Sequence, residues 1–229
     1  MKSTLFQWAQ RILVISPHAD DEVIGCGGTI ARAVEGASEV TVVVMSIGGV
    51  KHCHLNVMAS TDERLSELAA CSGRLGVSNW HVLFPEKDMR LETIPMLEIV
   101  TSLDHILDKG GFEEVYIPLP SHNIDHRITY EAALSSLRPG VRRISPTLVA
   151  AYEDTVINWR PDGLNSGHLY VDISPLIEKK IAALEEYHSQ LRPYPQTTSI
   201  EAVRRLAAMR GLESGFSYAE KFSILRLVR

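Results

Sequence analysis

No stretch of this chain approaches the roughly 20 consecutive apolar residues that a membrane span needs. The longest apolar run, Val40 to Ile47, is interrupted by Thr41 and Ser46 and reads as a strand. Residues Met1 to Trp8 lack the apolar core of a signal peptide. Cysteine is scarce: Cys26, Cys53 and Cys71 form no CxxC pair, and an odd, unpatterned set points to reduced thiols. Together these absences predict a cytoplasmic protein. There is no run of Lys and Arg, and the formal net charge is −5, which argues against a nucleic-acid surface. Gly25, Gly27 and Gly28 have neither the G-x-G-x-x-G spacing nor the lysine of a phosphate loop, so close packing is the better reading. No internal repeat or low-complexity linker divides the chain. At 229 residues, with 45% hydrophobic and 22% charged residues, it suits one globular domain spanning residues 1–229.

What is present is an alternation of short β-branched stretches and helical segments. Strands are expected at 12–16, 39–46, 80–84, 115–118 and 148–152, with a late one at 170–173. Helices are expected at 22–35, 61–75, 94–107, 126–137, 175–190 and 199–211. Alternation of this kind predicts an α/β fold, Rossmann-like, with a mostly parallel sheet covered by helices on both faces.

The chemistry is concentrated at two strand ends. Pro17-His18-Ala19-Asp20-Asp21-Glu22 lies at the seam between the first strand and its helix. Ionisable groups this dense are expensive to bury unless paired or bound to metal. In open α/β sheets, ligands bind at the carboxyl ends of strands. Ser121-His122-Asn123-Ile124-Asp125-His126-Arg127 follows the fourth strand in the same way. Parallel strands bring both clusters to one edge. A catalytic zinc takes three protein ligands and leaves a position open. His18, Asp21 and His126 supply such a set for Zn²⁺. Asp20 is left over, and suits a base that takes a proton from water.

These residues resemble the LmbE-like, or PIG-L, zinc-dependent N-deacetylases. Their first motif is usually Pro-His-Pro-Asp-Asp-Glu, with Ala19 here in place of the second proline; their second is usually His-x-Asp-His, here Asn123-Ile124-Asp125-His126. Thr61-Asp62-Glu63-Arg64 with Glu67, Lys180 to Leu184 with Tyr187, Ser189 and Gln190, and Tyr218 to Phe222 are similar to further segments of that family. The resemblance implies a Rossmann-like fold, zinc on His18, Asp21 and His126, and Asp20 as base. It also implies hydrolysis of the acetamide of an N-acetylated amino sugar or sugar conjugate, and it is compatible with a homo-oligomer. Rival readings are a zinc amidase acting on another small acylated metabolite, such as a glycosylated natural product, and a non-catalytic metal- or nucleotide-binding module.

The departure is at Asn123. The family's histidine there is thought to stabilise the oxyanion or to protonate the leaving amine. Asparagine can donate a hydrogen bond to an oxyanion but cannot deliver a proton. The proton then comes from Asp20 or from His122. Asp125 orients one of these neighbours or holds His126. Arg64 either holds a substrate group or pairs with Glu67 on a helix surface. Glu22 either bonds a metal-ligating histidine or only occupies the first helical turn. His52, Cys53 and His54 read as a solvated or substrate-facing loop, and His168 as a surface residue.

Overall fold

The structure is a computed structural model that describes residues 8–48, 59–140, 145–155 and 167–228. Its strands are β1 (Arg11–Ser16), β2 (Glu39–Val44), β3 (Asn79–Val82), β4 (Glu114–Pro118), β5 (Leu148–Tyr152), β6 (His168–Asp172) and β7 (Ala219–Leu227). Its α-helices are α1 (Asp21–Glu35), α2 (Thr61–Leu75), α3 (Met96–Gly110), α4 (Ile124–Ser136), α5 (Ile177–Leu184) and α6 (Ile200–Ser214). The seven strands form one sheet in the order β3-β2-β1-β4-β5-β7-β6. The first five are parallel, whereas β7 runs antiparallel to both β5 and β6.

Period-two burial in the strands explains the layers. Ile12, Val14, Val42, Val44 and Ala150 face α1, α2, α5 and α6 on one side, and Leu13, Ile15, Val43, Val115 and Val149 face α3 and α4 on the other. Both faces are therefore covered, as expected of a parallel sheet. Strand order reverses around β1 and β4, which leaves a crevice beyond their carboxyl ends. The two acidic clusters sit there. No helix among the described residues is long and apolar enough to cross a membrane.

Two expectations need correction. The helix expected over 175–190 is a 3-10 turn at Ser174–Leu176 followed by α5, which stops at Leu184. Tightened turns follow, because Tyr187 and Ser189 turn inward to Glu22 and Glu67. The strand β7 was not expected as a strand. Its alternation is broken by Glu220, which points inward and is buried.

Glu220 explains how the end of the chain supports α1. It forms a 2.6 Å ion pair with Lys180 of α5, and both side chains are almost fully buried. Lys180 Nζ also donates to the Ile24 carbonyl at 2.7 Å, while Gly28 N, four residues on, donates to Glu220 at 2.8 Å. Thr29 adds its N–H at 2.7 Å and its hydroxyl at 2.6 Å. The pair is thus inserted beside the helix ladder at the natural 28-to-24 partners.

The glycines of α1 serve close packing. A Cβ on Gly25 would overlap the Tyr152 ring, and one on Gly28 would overlap Ile173. The Tyr152 ring cannot retreat easily, since its hydroxyl donates to the Ile15 carbonyl at 2.9 Å. Gly25→Ala should therefore destabilise by about 1–3 kcal/mol through overpacking, read as a lower midpoint in urea with an unchanged slope. An unchanged midpoint would show that the helix simply slides away from β5.

Candidate functional site

β1 delivers the first cluster. It leaves the sheet at Ser16, whose hydroxyl donates to the His18 carbonyl at 2.6 Å. The next carbonyl, that of Ala19, accepts Arg64 NH2 at 2.8 Å. Asp20 then adopts φ 141°, ψ −30°, a conformation that L-residues rarely take. It precedes α1 but makes no side-chain cap, so its carboxyl is not spent on the helix. Such backbone strain is worth of order 1–3 kcal/mol and clusters at functional sites.

Three ligand-type atoms meet at Asp21. Its Oδ2 lies 3.2 Å from His18 Nδ1 and 3.2 Å from His126 Nε2. The same oxygen accepts the His18 N–H at 3.1 Å. The two imidazole rings come from the turn after β1 and from the first turn of α4, with centroids 5.5 Å apart. Atoms bound at 2.0–2.1 Å to one tetrahedral zinc lie about 3.3 Å apart, so these separations are those of a ligand set. His126 Nδ1 is buried with no hydrogen-bond partner among the described residues, whereas Nε2 faces Asp21. Two neutral imidazoles and one carboxylate are donors that zinc accepts. These residues fit a divalent metal.

Charge tells the same story. Burial alone would raise Asp21, but the His126 and His18 imidazoles overcome it and hold its carboxyl well below the usual range. Burial opposes protonation of His18, yet its hydrogen bonds to the Asp125 and Asp21 carboxylates raise it well above its ordinary value. His126 is raised as well: burial opposes it, and the Asp21 charge prevails. The carboxylates around the two imidazoles thus favour positive charge between them. Asp20 is different. Burial first, and then the charge of Asp21, push its carboxyl well above the ordinary aspartate value. Two adjacent aspartates are thereby driven apart, Asp21 downward and Asp20 upward.

The second cluster adds support from α4. Asp125 is buried, and its Oδ2 stands 3.2 Å from His18 Nε2, while its Oδ1 accepts the Leu91 N–H at 3.2 Å. It therefore orients His18, neither His126 nor the adjacent Asn123. Asn123 caps α4: its side-chain oxygen accepts the Asp125 N–H at 2.9 Å, leaving its NH₂ against Met89 Sδ at 3.7 Å. The His122 side chain is exposed, whereas Asp21 and His126 are buried and His18 is partly buried. Arg64 is 3% exposed and does not pair with Glu67, whose carboxylate is taken by Ser189. Its Nη1 is buried and has no hydrogen-bond partner among the described residues. His52, Cys53 and His54 lie outside the described residues, and His168 is exposed at the start of β6.

Two contributors escaped the sequence reading. Asp88 reaches within 3.5 Å of His18 Nε2, and with Asp125 it completes a second group of ligand-type atoms around that histidine. Asp154, just past β5, acts on His126 through its charge. The signal was available: both follow parallel strands at the same carboxyl edge.

Residues 13–137, more than half of the chain, match the family described as PIG-L: GlcNAc-PI de-N-acetylase. The chain belongs to the PIG-L family. It is 27% identical over 228 residues to the diacetylchitobiose deacetylase of Thermococcus kodakarensis, covering 94% of this chain and 83% of that one. The structure of the N,N'-diacetylchitobiose deacetylase from Pyrococcus horikoshii superposes with a TM-score of 0.75 at 29% identity, over 95% of this chain and 84% of that one. That of GalB, the 4-carboxy-2-hydroxymuconate hydratase of Pseudomonas putida, gives 0.72 at 23% identity, over 96% and 98%. This last likeness concerns the fold alone. A PIG-L fold carrying a hydratase shows that the reaction must be argued from the site.

Proposed function

We propose that this PIG-L protein is a zinc-dependent N-deacetylase that hydrolyses the acetamide of an N-acetylated amino sugar or sugar conjugate. The observation that carries the reading is the convergence of His18, Asp21 and His126 on one point, with the strained Asp20 beside them and outside the set. A module that only bound metal would have no use for Asp20. The named relatives that act on diacetylchitobiose support the substrate class. Cys26 and Cys71 are buried free thiols, which suits a reducing compartment such as the cytoplasm.

His18, Asp21 and His126 would hold the ion. When bound, zinc supplies Lewis-acid polarisation of the acetamide carbonyl and makes a water acidic near neutrality. Asp20 takes a proton from the attacking water as its oxygen adds to the acyl carbon. Its raised affinity for protons lets it keep that proton until the C–N bond breaks, and then pass it to the departing nitrogen. Acetate and a free amine leave. Arg64 Nη1, buried and without a partner among the described residues, is a donor available to a substrate oxygen. The NH₂ of Asn123 lies against the thioether of Met89, a weak acceptor, and can donate to the carbonyl oxygen. Asp125 fixes the His18 ring.

The test is metal content and acetate release together. Purified protein should carry about one zinc per chain. It should release acetate from N,N'-diacetylchitobiose, lose this on chelation and regain it with zinc. His126→Ala should lose the metal. Full zinc content in that variant would remove His126 from the ligand set. Zinc-loaded protein that releases no acetate from diacetylchitobiose, N-acetylglucosamine or its nucleotide conjugate would sink the substrate class.

A further inference from the structure

Glu22 fills neither role expected of it. It bonds no metal-ligand histidine, and it is not a solvated first-turn acid, being 1% exposed. Its Oε2 accepts the Asp20 N–H at 3.0 Å and lies 3.4 Å from the Ser16 hydroxyl. Its Oε1 accepts the Tyr187 hydroxyl at 2.5 Å and the Cys71 thiol at 3.7 Å. Tyr187 is fully buried and arrives from the turn after α5. A glutamate reaching back to an N–H before a helix could be an ordinary capping box. An ordinary cap, however, is extended at its first residue and uses that residue's side chain as the acceptor. Asp20 does neither. Nor does an ordinary cap need a buried tyrosine from far along the chain.

We propose that Glu22, braced by Tyr187, is a positioning residue that fixes the strained backbone of Asp20 and so aims its carboxyl. The inference rests on the reading of Asp20 as the base. A rare backbone conformation persists only where its surroundings over-determine it. Ser16 and Arg64 hold the carbonyls of His18 and Ala19, and Glu22 takes the N–H of Asp20 itself. Tyr187 and Cys71 hold the other carboxylate oxygen, so the clamp cannot swing away. The inward turn of Tyr187, which shortens α5, acquires a purpose.

Two independent readouts test this. Glu22→Ala should lose about 10²-fold in kcat, the effect of a small misplacement of a reacting group, with KM nearly unchanged and zinc retained. Glu22→Gln should recover most of that loss, because its amide oxygen still accepts the Asp20 N–H and its NH₂ can donate to Tyr187 Oη. Tyr187→Phe should slow the wild-type enzyme about tenfold and the Glu22→Ala enzyme hardly at all, since both act through one clamp. Equal losses in the two backgrounds, or zinc lost in step with kcat in Glu22→Ala, would overturn the proposal. The second readout needs no activity. Asp20→Gly should melt about 4 °C above Asp20→Ala, because glycine accepts the positive φ freely. In a Glu22→Ala background that advantage should mostly vanish; in Glu22→Gln it should persist. An advantage unchanged without Glu22 would show that other groups impose the conformation. If the wild type releases no acetate, the functional reading fails while the thermal comparison still decides the clamp; should Glu22→Ala not fold, Tyr187→Phe carries the same comparison.

Discussion

Asp20→Asn should lose roughly 10²–10⁴-fold in kcat, the usual worth of a general base, while keeping its zinc. The expectation follows from a division of labour between neighbours. Asp21 Oδ2 is engaged by both imidazoles, so its removal should release the metal. Asp20 has no place in that set, and asparagine preserves its size without its basicity. The acid limb of the pH–rate profile should also disappear in this variant. In the wild type the base must be unprotonated, so the rate falls as pH drops through its pKa. Burial and the charge of Asp21 raise that pKa, and a bound cation draws it back. His122→Ala is the control for the other route to a general acid. Its ring is exposed, and loss of it should leave kcat within about twofold if Asp20 both takes and returns the proton. A much slower His122→Ala enzyme with intact zinc would hand the acid role to His122. Loss of zinc from Asp20→Asn would instead exchange the roles of the two aspartates.

The convergence of His18, Asp21 and His126 was legible because the first two follow β1 directly and the third stands in the first turn of the helix after β4. Once β1 and β4 were read, topology did the rest, since both strands deliver their carboxyl ends to one edge. Asp88 and Asp154 obey the same rule, but each lies in a polar turn whose reach depends on loop geometry that no periodicity records. Asn123 carries a second role that its chemistry alone does not announce: its side-chain oxygen caps α4, as asparagine commonly does, while its NH₂ remains a donor. Asp125 was read as serving His126 or a neighbour, and it serves His18 across 107 residues of chain. Contacts of that range arise from packing of whole elements, and no local pattern encodes them. The same holds for Glu22, whose partner Tyr187 is 165 residues away. Where local signals are sufficient, as in α2 with its Ser60 cap and left-handed Gly76, expected and observed bounds coincide.

Lys180→Met should lower the melting temperature by roughly 6–20 °C, the counterpart of the 3–5 kcal/mol lost when one partner of a buried ion pair is removed. Methionine fills the space of the lysine stem, so little cavity term enters. What remains is a Glu220 carboxylate, 4% exposed, without its counter-charge, and an Ile24 carbonyl without the Nζ donor. Three donors from Gly28 and Thr29 still reach that carboxylate and set a floor to the loss. Adding Glu220→Gln should restore part of the stability, because removing both charges abolishes the unpaired one while the amide oxygen still accepts one α1 amide. The double variant melting above Lys180→Met is thus the signature of a charge pair rather than of packing alone. A Lys180→Met protein within about 3 °C of wild type would mean that water or the α1 amides already compensate Glu220, and the pair would then be an incidental contact. Since the same pair touches α1 at Ile24 and Gly28, about one and two turns beyond Asp21, its loss should be felt at the metal too. Zinc should leave Lys180→Met faster under chelator than it leaves wild type at the same temperature, even well below the melting transition.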